Sequence, residues 1–212
     1  MRLYSYFRSS AAYRVRIALN LKGLAYETVA VDLKPGEQRR PEYLARNPQG
    51  LVPALEDGEW VLAQSLAIIE YLEEMHPEPP LLPRAPRERA RVRSLALAIA
   101  CDLHPLNNLR VLNYLRAPLG CGEEEVETWY RHWVAEGFRG LEEEARSAGG
   151  DGRHLVGSTV TLADVCLVPQ MFNARRFHCN LEPFPRLTAI ASHLEALPAF
   201  AQAAPAPPPG AP

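Results

Sequence analysis

Lysine is nearly absent from this chain. Of its 23 lysines and arginines only Lys22 and Lys34 are lysines, and the arginines are scattered rather than massed. No basic block is interleaved with aromatics, and the formal net charge is -2. Neither nucleic acid nor an acidic membrane surface is therefore expected as a partner. With abundant alanine and proline, the preference for arginine fits codon bias or adaptation to heat. Paired cysteines are missing as well. Cys101, Cys121, Cys166 and Cys179 form no C-x-x-C pair and no regular spacing, which argues against a metal site or a disulfide framework. Cys101 and Cys166 sit in apolar helical patterns, where a free cysteine behaves as a small hydrophobe. No apolar run is long enough to span a bilayer, and the N-terminus shows no charged leader followed by an apolar stretch and a cleavage site. The expectation is a soluble, intracellular protein. The common catalytic signatures are absent too: no Ser-His-Asp order, no H-E-x-x-H, no phosphate-binding glycine loop and no dinucleotide fingerprint. An enzyme built on this chain would take its nucleophile from outside its own side chains.

What is present falls into two halves, as 212 residues allow. Residues 1–80 alternate in type. Strands are expected at Arg2–Tyr6, Tyr26–Val31, Val52–Glu56 and Trp60–Leu62, the last two joined by the tight-turn signal Asp57-Gly58. Helices are expected at Ser10–Leu21, around Pro41–Arg46, and at Leu66–Met75, where the stripe of Leu66, Ile69 and Leu72 stops before Pro77. This order gives a small α/β layer domain with a mixed sheet. After the proline-rich linker Pro77–Pro83 the pattern is helical throughout. Residues 84–200 are expected as an all-α domain, with helices over Arg87–Leu103, continuing after a proline interruption to Leu115, and over Glu123–Ala148, Leu162–Phe177 and Pro185–Leu197. Residues 203–212, rich in alanine and proline, are expected to form a mobile tail.

Four short segments could carry chemistry. At Arg8-Ser9-Ser10 two hydroxyls and a cation lie where a strand ends and a helix begins, a place that suits an anion. Taken alone, the segment favours a plain helix cap. At Gly50-Leu51-Val52-Pro53 a cis proline would present the Val52 N–H and C=O to an extended, peptide-like ligand; an ordinary trans proline opening an edge strand is the commoner case. Gln64-Ser65 precedes a second helix, with Ser65 in the N-cap position and able to meet a carboxylate. His104-Pro-Leu-Asn-Asn-Leu-Arg110 is polar for a core element and fits a solvated face equally well. Arg175-Arg176 beside Phe177 is a weaker signal, and Thr161 with Asp164 has the spacing of a capping box.

The segments YSYFRSSAAYRVRIAL (Tyr4–Leu19), NPQGLVP (Asn47–Pro53), QSLAIIEYLE (Gln64–Glu73), PLNNL (Pro105–Leu109) and TLADVCLVPQ (Thr161–Gln170) together resemble the zeta class of the glutathione transferase family. The likeness runs from about Met1 to Pro198. It implies an α/β N-terminal thioredoxin-like domain plus an all-α C-terminal domain, a cytoplasmic homodimer, and glutathione as coenzyme. Ser9 and Ser10 match the serines that contact the glutathione thiol. Gln38, Val52, Gln64 and Ser65 match positions that hold its peptide backbone and γ-glutamyl carboxylate. His104, Asn108 and Arg110 match the segment that closes the site from the helical domain, and Arg8 and Arg176 are assigned to substrate carboxylates. Many relatives carry cysteine where this chain has Ala11, so no protein thiol is expected as the nucleophile. The activity implied is cis–trans isomerisation of the maleyl diacid maleylacetoacetate to fumarylacetoacetate, a step of tyrosine and phenylalanine catabolism. The same chemistry on maleylpyruvate, in the gentisate pathway, or general conjugation or dehalogenation are the alternatives. Ser9 is expected to favour the thiolate of a thiol whose free pKa is about 8.5, as helix starts do for reactive cysteines.

Overall fold

In the computed structural model, which describes residues 1–147 and 150–206, β1 (Arg2–Ser5), β2 (Glu27–Ala30), β3 (Ala54–Asp57) and β4 (Trp60–Ala63) form one mixed sheet in the order β2-β1-β3-β4. β1 and β2 are parallel, with Ser5 opposite Ala30. β3 runs antiparallel to β1, with Tyr4 opposite Ala54, and β4 runs antiparallel to β3, with Ala63 opposite Ala54. The β3–β4 hairpin turns on Gly58-Glu59, between the paired Asp57 and Trp60.

The first helices are α1 (Ser10–Leu21), the single turn α2 (Pro41–Leu44) and α3 (Ser65–Met75). α1 and α3 pack together and bury Val15, Ile17, Leu19, Ile68, Ile69 and Leu72. The sequence places Ser65 at the N-cap of α3, whereas the cap is Gln64 and Ser65 is the first helical residue. A smaller cluster of Tyr4, Val31, Tyr43 and Ala54 underlies the loop around Val52.

The second unit, Leu81–Ala196, is helical: α4 (Pro86–Leu97), α5 (Leu109–Arg116), α6 (Glu123–Ser147), α7 (Leu162–Arg176) and α8 (Pro185–Glu195). The interruption expected at Pro105, between the helix from Arg87 and the one ending near Leu115, is present and extends over Ala98–Asn107. A wide turn over Ala98–Leu103 gives way to a tight one over His104–Asn107, and α5 restarts from the cap Asn108. Pro105 has no N–H and clashes with the carbonyl four residues back, so the α-helical ladder cannot pass through it. Gly137 of α6 admits Leu103, whose Cδ2 lies 2.9 Å from where a β-carbon would stand. α7 is buried almost all round. Its start is tied by Asp164, which accepts from Leu155 N, Thr161 N and Thr161 Oγ1, each at 2.8 Å. Burial pushes the Asp164 carboxyl above its usual range, and those donors pull the other way.

The boundary at the C-terminus differs from the one the sequence suggests. From Leu197 onward the chain groups with residues 1–80, through a last helix, α9 (Pro198–Ala203). Phe200, its one large apolar side chain, is fully buried. Three donors of α1 take its carbonyls: Tyr13 OH to Phe200 O at 3.3 Å, Arg16 Nε to Ala203 O at 2.9 Å and Asn20 Nδ2 to Ala199 O at 3.0 Å. Ala203, where the sequence suggests a mobile tail, is the buried last residue of that helix. Residues 207–212 of that stretch lie outside the described residues. Among the described residues no helix is long and apolar enough to cross a membrane.

Candidate functional site

Strand register brings the polar loops of the first unit to one end of the sheet. Ser5, the last residue of β1, faces Ala30, the last of β2. Tyr4, one step earlier, faces Ala54, the first of β3, and Ala54 faces Ala63, the last of β4. The segments that leave or enter at this end are therefore Tyr6–Ser9, Val31–Arg39, Leu51–Pro53 and Gln64-Ser65. Three of the four segments singled out in the sequence lie here.

The first is built as a cap, and the cap leaves a donor. Ser9 is the N-cap of α1, with extended backbone at φ -70° and ψ 116°. Its Oγ accepts from Ala12 N at 3.2 Å. A hydroxyl that accepts through its oxygen still has its hydrogen to give. The plain cap and the functional reading are thus the same geometry. Ser10, the first helical residue, is buried, Ser9 half-buried and Arg8 exposed beside the Phe7 ring, 5.0 Å from its centroid. Arg16 stiffens the loop from behind. Its Nη1 donates to Ser5 Oγ at 3.1 Å and its Nη2 to Phe7 O at 3.2 Å.

The second is a bend closed by several donors. The Val52–Pro53 bond is cis, where the bare residue statistics favour trans. Tyr43 OH and Asn47 Nδ2 both donate to Leu51 O, at 2.6 and 2.7 Å. Among the described residues the Val52 amide and carbonyl take part in none of the backbone–backbone hydrogen bonds of the loops. Gly50 is at φ +61°, and a β-carbon there would stand 3.0 Å from Gln38 O, so the glycine lets this bend approach the turn that carries Gln38. Gln38 is half-buried, and its Oε1 is shut off from solvent with no hydrogen-bond partner among the described residues. A buried acceptor left open is costly unless something fills it.

The third is the start of α3. Gln64 has φ 73° and ψ 113°, a left-handed conformation that glutamine adopts at a cost. Its Nε2 donates to Gln49 Oε1 at 2.6 Å, which joins this loop to the Asn47–Pro53 bend. Ser65 is buried, and Arg14 Nη1 of α1 donates to its Oγ at 3.3 Å. The sequence reading missed Arg14, Tyr43, Asn47 and Gln49. Arg14 and Arg16, two apart with Val15 between them, look like a solvated edge, yet both are buried.

The remaining sequence candidates belong to the second unit. His104 is half-buried in the tight turn before α5. Asn108 caps α5 by accepting from Arg110 N at 3.1 Å, and Arg110 is exposed. Arg176, at the end of α7, lies over the Phe177 ring at 4.7 Å from its centroid, and that ring stacks on Tyr130 at 3.7 Å. Burial pushes the Tyr130 phenol up, and Arg176 acts in the opposite direction. Burial also pushes the Cys179 thiol up to about 11, the reverse of what a nucleophilic cysteine needs. Among the described residues no group of three or more His, Cys, Asp or Glu side chains could hold a metal ion.

Comparison with known proteins adds the following. Residues 3–80 match the family model described as glutathione S-transferase, N-terminal domain. The chain is 56% identical over 205 residues to the probable maleylacetoacetate isomerase of Vibrio cholerae, covering 96% of this chain and 94% of that protein. Among solved structures it is similar, at 46% identity, TM-score 0.97 and full coverage of both chains, to the holo form of a maleylpyruvate isomerase described as a bacterial zeta-class glutathione S-transferase. It is also similar, at 45% identity, TM-score 0.95 and full coverage of both chains, to the maleylacetoacetate isomerase of Methylobacterium extorquens with bound malonate and glutathione.

Proposed function

Because this chain belongs to the glutathione S-transferase family, and within it to the zeta class, we propose that it is a glutathione-dependent cis–trans isomerase converting maleylacetoacetate to fumarylacetoacetate. The observation that carries this is Ser9: its oxygen is engaged by Ala12 N and its hydrogen is left to give, at the sheet end where two further polar loops converge.

The residues of that end suit glutathione, an extended peptide with an anionic head. The start of α3 offers unpaired backbone N–H groups, the helix dipole and the Ser65 hydroxyl to the γ-glutamyl carboxylate. The strained Gln64 stands beside it. The Val52 backbone is open for strand-like pairing with the tripeptide. The orphaned Gln38 Oε1 accepts an N–H of the ligand. Ser9 then lies at the sulfur, with Ser10 beside it.

When bound, glutathione supplies a sulfur nucleophile that adds to the cis double bond of the maleyl group, lets the resulting single bond turn and departs as the trans bond re-forms. The chain's own part is electrostatic. The Ser9 hydroxyl donates to the sulfur position, and the first N–H groups of α1 add positive potential there, favouring the ionised form. Arg8 is assigned to a substrate carboxylate, and so is Arg176 of the helical unit, where cations also oppose the negative charge that builds on the substrate ketone. His104, Asn108 and Arg110 are assigned to the coenzyme by resemblance to the family. A cytoplasmic homodimer completes the proposal. Exposed Trp60 and Met75 in the first unit, and Leu97, Leu109, Tyr114 and Leu119 in the second, offer apolar surface for a second copy to cover.

The deciding assay follows isomerisation of maleylacetoacetate with and without glutathione. Turnover that requires the tripeptide without consuming it is expected, and equal rates in its absence would end the mechanism. The likeness to a maleylpyruvate isomerase favours one second reading, the same chemistry on maleylpyruvate. A higher kcat/KM for that diacid would select it.

A further inference from the structure

A buried cation of α1 is aimed at the start of α3. Arg14 is 1% exposed, and its Nη1 donates to Ser65 Oγ. A guanidinium donates and never accepts, and it keeps its charge throughout the physiological pH range. Ser65 Oγ is therefore the acceptor in this bond, and the hydroxyl hydrogen is left for some other acceptor. Ser65 is also the first residue of α3, and the earliest intrahelical bond is Ile68 N to Gln64 O. The N–H groups of residues 65–67 consequently have no carbonyl of their own helix to reach. A hydroxyl constrained to donate, a set of open N–H groups and a full positive charge in a poorly screened interior thus meet at one helix start.

We infer that Arg14 is a positioning residue for carboxylate recognition. It fixes the Ser65 hydroxyl as a donor and adds a buried positive charge behind it, making the start of α3 selective for the γ-glutamyl carboxylate over an uncharged group of the same shape. The inference rests on the reading of this end as the γ-glutamyl end of a glutathione site.

The test is calorimetric titration of two ligands, glutathione and its analogue with the γ-glutamyl α-carboxylate converted to a carboxamide, into the native protein and Arg14→Met. Loss of one charge-assisted interaction predicts about tenfold weaker binding of glutathione and less than about twofold change for the carboxamide. Equal losses for the two ligands would make Arg14 a packing residue and overturn the inference, and so would no loss at all. Should Arg14→Met fail to fold, as judged by circular dichroism, Arg14→Lys serves instead. It keeps the charge but not the planar fork, so the preference for carboxylate over carboxamide is expected to fall by about threefold; an unchanged preference refutes the role. A native protein that binds neither ligand removes this inference and the proposed function together, whereas native binding with equal losses removes the role of Arg14 alone.

Discussion

Lys22 Nζ lies 2.5 Å from Glu73 Oε2, with both side chains almost shut off from solvent, and donates also to Pro79 O at 2.8 Å. One of the two lysines in the chain thus fastens the end of α1 to the last turn of α3 and to the strand of chain that follows it. Removing one member of a buried pair strands the other charge, so Lys22→Met is expected to cost about 3–5 kcal/mol, read from the denaturant midpoint. The double variant Lys22→Met/Glu73→Leu should recover most of that loss. Additive losses in the double variant would mean that the two charges are not coupled.

Ser9 serves α1 as its cap and is proposed to serve the reaction as a donor, and the two uses separate in measurement. Ser9→Ala should lower stability by about 1 kcal/mol through the lost cap. It should lower kcat by about 10²–10³-fold through the lost donor. Ser10→Ala should keep most of the activity. The reverse order of kcat values would transfer the donor role to Ser10.

Tyr43 gives an alkaline signature. Burial pushes its phenol up to about 12, and its hydroxyl must stay protonated to donate to Leu51 O. An unfolded chain loses that proton near the ordinary value of about 10. Between these two values the folded state binds more protons than the unfolded one, so stability declines as pH rises through that window and is level below it. Tyr43→Phe should make the decline shallower, with Tyr4, Tyr26, Tyr71 and Tyr130, all also raised, supplying the rest. Denaturant midpoints taken from pH 8 upward check this, and an unaltered slope in the variant contradicts it.

Phe200 anchors α9 on α1. Phe200→Ala empties a fully buried site and is expected to cost about 3–5 kcal/mol in thermal or denaturant unfolding. Arg16→Met should act in the same direction, because it frees the Ala203 and Phe7 carbonyls together. A change within about 0.5 kcal/mol for Phe200→Ala, the range of a surface site, would show that α9 is not part of the core.

The parts of the molecule legible in the sequence are those fixed by neighbours along the chain. The strand-to-helix step at Ser9, the Asp57-Gly58 hairpin and the Thr161–Asp164 box each depend on a few consecutive residues, and each is found in place. Three features were hidden, the first two because they depend on distant partners. Arg14 and Arg16 look solvated until Ser65, Phe7 and Ala203 supply their acceptors. Gln64 takes the cap position that the serine preference gives to Ser65, because its left-handed backbone starts the helix one residue early and its side chain binds Gln49 instead. The break over Ala98–Asn107 could be placed at Pro105 but not given its wide-then-tight form, since periodicity carries no record of helix pitch. Of the candidate site, the serine loop, the Val52 bend and the Gln64-Ser65 start were visible, while the residues that hold them still were not.

The return of α9 to α1 has a consequence for synthesis. The surface of α1 that Phe200 covers belongs to a helix made long before its cover, since α1 spans Ser10–Leu21 and α9 spans Pro198–Ala203. During elongation that apolar face is bare, and it stays so until α9 clears the ribosomal tunnel. The first unit thus stays unsealed until α9 is made, so a nascent chain stalled before residue 200 carries a sticky seam for chaperones to guard.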